Sequence, residues 1–176
     1  GEGTTASPAL VDLDGDGQLE VALQTTADPG LILRADGTSF VELGHFEDQY
    51  GPLANTRSGS FLHGVSSASV GDLDLDGVPD VINGGIDPEF GVGIVSDGKR
   101  REFDHIIGAW DVTTGLFIRG FPRQVEDIQF FMNPAVADLD DDGYPEVISG
   151  SGGFLVHAFD HAGEEPAGWP KTTGGW

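Results

Sequence analysis

The sequence predicts an all-β protein assembled from three repeated units, and three observations carry that prediction. One acidic phrase recurs three times: Asp12-Leu-Asp14-Gly-Asp16-Gly17-Gln18-Leu-Glu20, Asp72-Leu-Asp74-Leu-Asp76-Gly77-Val78-Pro-Asp80 and Asp138-Leu-Asp140-Asp-Asp142-Gly143-Tyr144-Pro-Glu146. β-forming residues follow each phrase directly, as Val21-Ala-Leu23, Val81-Ile82 and Val147-Ile148. The phrases begin at 12, 72 and 138, hence 60 and 66 residues apart, a period that marks a modular β-array.

Each unit can be read in order. A short apolar stretch precedes every phrase: Ser7-Pro-Ala-Leu-Val11, Ser67-Ala-Ser-Val-Gly71 and Asn133-Pro-Ala-Val-Ala137. It reads as an inner strand leading into the acidic loop, with a second strand leaving it. Further on, Gly108-Ala109-Trp110-Asp111, Gly115 and Gly120-Phe121-Pro122-Arg123 match His157-Ala158-Phe159-Asp160, Gly163 and Gly168-Trp169-Pro170-Lys171. These supply an aromatic third strand, an Asp/Gly turn and an outer strand. Four strands per unit describe a propeller blade. The units span residues 1–66, 67–132 and 133–176, with loops 12–20, 72–80 and 138–146. The first has Leu31-Ile-Leu33 and a turn at Asp36-Gly37 but no Gly-aromatic-Pro phrase, so its outer strand is open. Residues 44–66 and 87–105 read as long loops, where binding functions concentrate. A ring needs about four to eight blades, so three units form a segment of a larger propeller.

The chemistry of the loops follows from their spacing. Acids at positions 1, 3 and 5 of a tight turn converge when glycine at position 6 lets the backbone fold back. Calcium takes such a shell of six to eight hard oxygens. An EF-hand is excluded, because it requires a bidentate Glu at position 12 and flanking helices. Position 12 here is Leu23, Asn83 or Ser149, and the fourth acid stands at position 9. The expected ligands are therefore the side chains of Asp12, Asp14, Asp16 and Glu20, of Asp72, Asp74, Asp76 and Asp80, and of Asp138, Asp140, Asp142 and Glu146. The backbone carbonyls of Gln18, Val78 and Tyr144 complete three calcium sites.

Composition narrows the partners. Thirty Asp and Glu against eight Lys and Arg give a net charge of −22, and three calcium ions would still leave −16. Nucleic acid and anionic lipid, themselves polyanions, are poor partners for such a surface. A hydrophobic content of 38%, with 11 Phe and 3 Trp, supplies a core, so the acidity does not signal disorder. Loops of modest affinity fill where calcium is abundant, which points outside the cell, to the cell surface or to the periplasm. No apolar run is long enough to span a membrane, and Gly1–Thr5 does not read as a signal peptide, so the chain reads as a mature product or an internal piece.

The run Val70-Gly71-Asp72-Leu-Asp-Leu-Asp-Gly-Val-Pro-Asp80-Val-Ile-Asn-Gly-Gly85 resembles the FG-GAP repeat of integrin α-subunit propellers and the related bacterial VCBS repeats. The resemblance covers nearly the whole chain. It implies a β-propeller of about seven or eight blades, each with calcium between its first and second strands, with the remaining blades on the same polypeptide or a partner chain. The second and third units are also similar, more weakly, to quinoprotein-like blades.

Catalytic patterns are missing from the sequence. It holds no HExxH, no GxSxG, no complete GxGxxG and no cysteine, and its close carboxylate pairs belong to the acidic loops. His157 and His161 read as surface or strand-edge residues, Lys99-Arg100-Arg101 as an exposed hairpin tip, and Trp110, Trp169 and Trp176 as core aromatics. The leading expectation is a non-catalytic extracellular module for protein or glycan binding, adhesion or assembly. Two alternatives stand beside it: a fragment of a secreted polysaccharide-degrading enzyme with its catalytic residues elsewhere, and a structural subunit of a surface complex.

Overall fold

The computed structural model describes residues 6–25, 30–44, 49–50, 67–86, 105–126 and 133–174. These residues build three four-stranded antiparallel sheets, each a meander in which every strand pairs with its neighbour in sequence. Sheet 1 holds β1 (Ala9–Val11), β2 (Glu20–Leu23), β3 (Leu31–Leu33) and β4 (Ser39–Glu42). Sheet 2 holds β5 (Ser69–Gly71), β6 (Asp80–Ile86), β7 (His105–Trp110) and β8 (Arg123–Gln124). Sheet 3 holds β9 (Ala135–Ala137), β10 (Glu146–Gly150), β11 (Leu155–Phe159) and β12 (Lys171–Thr172).

Every acidic loop joins the first strand of its sheet to the second, as the sequence predicts. The open question of the first unit is resolved by β4, which pairs with β3 through a register shift at Ile32/Leu33. The expected loop at 44–66 is described only at 44 and 49–50, the one at 87–105 only at 105, and Lys99-Arg100-Arg101 and Trp176 lie outside the described residues.

Strand register aligns the first three strands of the units residue by residue. Val21 pairs with Leu33, Val81 with Trp110 and Val147 with Phe159, so Leu33, Trp110 and Phe159 are equivalent. Likewise Leu10, Val70 and Val136 occupy one position of the inner strand, opposite those three valines. Trp110 is fully buried and stacks on Phe117 with ring centroids 4.5 Å apart. Its ring folds back over Gly108, where a Cβ would stand 2.3 Å from the indole, so only glycine leaves room for it. Trp169, by contrast, is only half-buried and lies under the Lys171 ammonium, 5.6 Å from the ring.

The sheets pack in chain order, with β1 against β5 and β5 against β9. The same joint recurs at both junctions. Ser7 N–H donates to Ser67 Oγ at 3.1 Å, and one unit later Ser67 N–H donates to Asn133 Oδ1 at 2.8 Å. Val136 of sheet 3 lies so close to β5 that a Cβ on Gly71 would meet its Cγ1 at 2.5 Å. At the outer edge, Trp110 Nε1–H donates to the Gly44 carbonyl at 2.9 Å and Gly44 N–H donates to the Gly115 carbonyl at 2.6 Å. One apolar cluster runs through these joints, from Leu13 and Ile32 through Leu73, Ile82, Ile107 and Trp110 to Val147 and Phe159.

Candidate metal centres

Each loop is held in shape by its own carboxylates. Position 1 closes the turn, with Asp12, Asp72 and Asp138 accepting the position-6 N–H of Gly17, Gly77 and Gly143 at 2.9, 3.0 and 3.0 Å. Position 5 braces the exit, since Asp16, Asp76 and Asp142 accept the position-7 N–H of Gln18, Val78 and Tyr144 at 2.7, 2.8 and 2.8 Å. Position 9 is buried and reaches back. Glu20, Asp80 and Glu146 accept the position-2 N–H of Leu13, Leu73 and Leu139 at 2.8, 2.9 and 2.7 Å.

Backbone conformation explains the glycine. Position 6 is left-handed in all three loops, at φ 87°, 92° and 96° for Gly17, Gly77 and Gly143, a region costly for any residue with a Cβ. Position 4 is left-handed as well, at φ 74° for Gly15, 59° for Leu75 and 61° for Asp141. The sequence reading missed this second turn, because glycine marks it only in the first loop.

In every loop one carboxylate oxygen from each of positions 1, 3 and 9 converges within 4.8 Å: Asp12, Asp14 and Glu20; Asp72, Asp74 and Asp80; Asp138, Asp140 and Glu146. Position 5 stands outside these triads, with one oxygen turned to the position-7 N–H. The bracing role of positions 5 and 9 was not legible in the sequence, which marks acids and not the direction of their lone pairs.

Like charges in a confined space raise carboxyl pKa values. Burial, joined by Asp74, Asp111 and Asp76, pushes Asp80 up to about 7 against the opposing Leu73 N–H. Burial likewise raises Asp74, with Asp76, Asp72 and Asp111 adding to it, and raises Glu146, with Asp140, Asp142 and Asp138 adding to it. Asp111, in the turn after β7, is thus an acid near the second centre that the loop motif does not contain. Its register equivalents are Arg34 and Asp160. In the first unit Arg34 shares one cavity with Asp14, Asp16, Gln18, Glu20 and Asp36.

The donor set fits a hard divalent cation. All converging atoms are carboxylate oxygens, the class calcium and magnesium take. Asp72 supplies a more specific sign: Oδ2 accepts the Gly77 N–H, while Oδ1 is buried with no hydrogen-bond partner. A buried, unsatisfied carboxylate oxygen is costly, and a cation beside it removes the cost.

Elsewhere the histidine expectation is corrected. His157 is 7% exposed, and its ring is held at both nitrogens, Nδ1 by Glu165 Oε1 at 2.8 Å and Nε2 by Glu126 Oε2 at 2.7 Å. Glu126, which follows β8 of the second unit, also accepts from Ser151 Oγ. The ring therefore clasps unit 2 to unit 3. His161 stacks on Tyr144 at 4.2 Å.

No model of a known protein family matches the chain, and no curated protein matches it.

Proposed function

We propose that the protein is a non-catalytic, calcium-stabilised β-propeller segment of the FG-GAP/VCBS type that serves outside the cell, at its surface or in the periplasm, in protein or glycan binding, adhesion or assembly. The carrying observation is the threefold recurrence of one geometry: a carboxylate triad at the first strand junction of each of three packed sheets, with the Asp72 oxygen buried and unpartnered. Calcium is the preferred ion, since these loops offer many oxygens in a flexible turn, where magnesium demands near-ideal octahedral geometry. Asp12, Asp14 and Glu20, with their equivalents in the other two loops, hold the ions directly. Asp16, Asp76 and Asp142 and the position-7 carbonyls complete the shells. A metal surrounded by four acids is closed to substrate, so its role is structural.

The ions clamp each loop across the strands it joins and neutralise repulsion within it. An ion that binds only the folded state adds RT ln(1 + [Ca]/Kd), roughly 2.7 kcal/mol per site at a hundredfold excess. The test is stoichiometry: equilibrium dialysis with metal analysis returns three calcium ions per chain, falling to two in Asp72→Ala. A stoichiometry of zero overturns the assignment. Glycan-array binding that is lost in EGTA supports the binding role, and calcium-dependent depolymerisation of a polysaccharide overturns the non-catalytic one.

A further inference from the structure

The three centres share one ligand pattern but not one electrostatic setting, and the difference lies in the residue that follows the third strand of each sheet. Leu33, Trp110 and Phe159 hold one register position, so the next residues, Arg34, Asp111 and Asp160, stand at equivalent places. In the second unit that residue is an acid acting on the loop, because Asp111 adds to the repulsion on both Asp74 and Asp80. It is fixed in place. Its Oδ1 accepts the Thr113 N–H at 2.7 Å and the Thr113 hydroxyl at 2.6 Å, and its Oδ2 accepts the Thr114 hydroxyl at 2.7 Å. Burial alone would raise its carboxyl, but these bonds hold it below its ordinary 3.8, so it stays ionised at neutral pH.

The third unit lacks this reinforcement. Asp160 turns to its own backbone, accepting the Ala162 and Glu164 N–H groups at 2.8 Å each, and the acids that add to Glu146 are those of its own loop, Asp140, Asp142 and Asp138. In the first unit the sign reverses. Arg34 lines one cavity with Asp14, Asp16 and Glu20. Its Nη1 donates to the Ser39 carbonyl at 2.6 Å and its guanidinium lies 4.8 Å from the Phe40 ring centre, so β4 anchors a positive charge beside the loop. Asp36, in the same cavity, offsets part of it.

Position 1 differs in the same direction. Asp12 is satisfied at both oxygens, Oδ1 by the Gly15 N–H at 2.8 Å and Oδ2 by the Gly17 N–H at 2.9 Å. Asp72 accepts only at Oδ2, and its Oδ1 is buried without a partner. An empty first loop therefore costs little, whereas an empty second loop leaves a buried oxygen unsatisfied.

Resting on the calcium reading above, we propose that the three centres bind calcium with unequal strength, the second most tightly and the first most weakly, with Asp111 and Arg34 setting the two extremes. A unit charge within about 10 Å of a divalent ion changes its affinity by roughly threefold to tenfold at low salt. Opposite charges at one position thus separate the first and second centres by about tenfold or more. As calcium falls, the first loop empties while the other two stay clamped. The first unit is then the part of the chain that responds to calcium level.

The test is equilibrium dialysis of the whole chain against calcium buffers of falling free concentration, with metal analysis and circular dichroism at each step. The wild type is expected to pass from three ions to two before it loses more. At that step Asp14→Ala, which removes a ligand of the first loop, is also expected to hold two ions, and Asp74→Ala one. Both positions are exposed, so both variants are expected to keep the wild-type circular dichroism. Arg34→Gln, which removes the charge but keeps a donor for Ser39, is expected to hold the third ion down to about threefold to tenfold lower calcium. Asp111→Asn is expected to raise the calcium concentration at which the last ion leaves. Three ions lost at one concentration, Asp14→Ala and Asp74→Ala behaving alike or in reverse order, or an Arg34→Gln step that does not move each overturns the ranking and leaves the calcium reading intact. A wild type that binds no ion at any calcium concentration refutes that reading as well.

Discussion

Removing the His157 ring isolates the contribution of one inter-unit clasp. His157→Ala leaves Glu126 and Glu165 facing a gap that the ring had bridged. Each ring bond runs to a carboxylate, a class worth about 1.5–3 kcal/mol net. Glu126 and Glu165 are 33% and 27% exposed, so solvent screens both and the low end applies. Two bonds then amount to about 3 kcal/mol, and with a urea slope of about 2 kcal/mol/M the midpoint falls by about 1.5 M. His157→Gln, which can serve one partner, is expected to lose about half as much. Urea unfolding in calcium at neutral pH reads the shift, and a cycle with Glu126→Gln reads the coupling. A coupling within ~0.3 kcal/mol of zero would refute the clasp.

Four further outcomes follow from the same geometry. Burial alone would raise the Glu126 carboxyl, but the Ser151 hydroxyl, its own backbone N–H and His157 hold it below its ordinary 4.5. A depressed carboxyl stabilises the fold above its unfolded pKa, so the stability gap between wild type and Glu126→Gln is expected above pH 4.5 and to close as pH falls through the lowered value; pH-resolved urea midpoints check it. Gly77→Ala meets no neighbouring atom but forces a Cβ to φ 92°, and thermal unfolding is expected to show a loss of about 1–2 kcal/mol. Leu75→Gly, at φ 59° and half exposed, is expected to be neutral or stabilising by up to about 1 kcal/mol in the same assay. Arg34→Asp places beside the first centre the acid that Asp111 supplies near the second, and calorimetry is expected to show tighter calcium binding there, with weaker or unchanged binding counting against it.

Much of the fold was legible because its signals are local. Hairpin order follows from apolar runs broken by Asp/Gly turns, and the threefold acidic phrase marks the first strand junction of every sheet. β4 was not legible, since Ser39-Phe-Val-Glu42 carries no glycine-aromatic-proline phrase and earns its place by pairing with β3. The acids of the candidate centres were legible as residue types, but spacing could not separate the converging positions 1, 3 and 9 from the bracing position 5. Nor could it show that Leu75 and Asp141 adopt the conformation Gly15 adopts freely. The His157 clasp joins residues 31 apart on different units, Glu126 and His157, and no periodicity announces such a pair. Phe121 and Trp169 hold the same place in matching phrases yet differ in burial, because burial depends on which sheet comes next.

Calcium held by the three loops is proposed to keep the sheets together. Differential scanning calorimetry of one sample, in millimolar calcium and then in excess EGTA, tests it most directly. A large fall in melting temperature is expected on chelation, restored by added calcium and moved less by magnesium. Superimposable curves in calcium and in EGTA would contradict it.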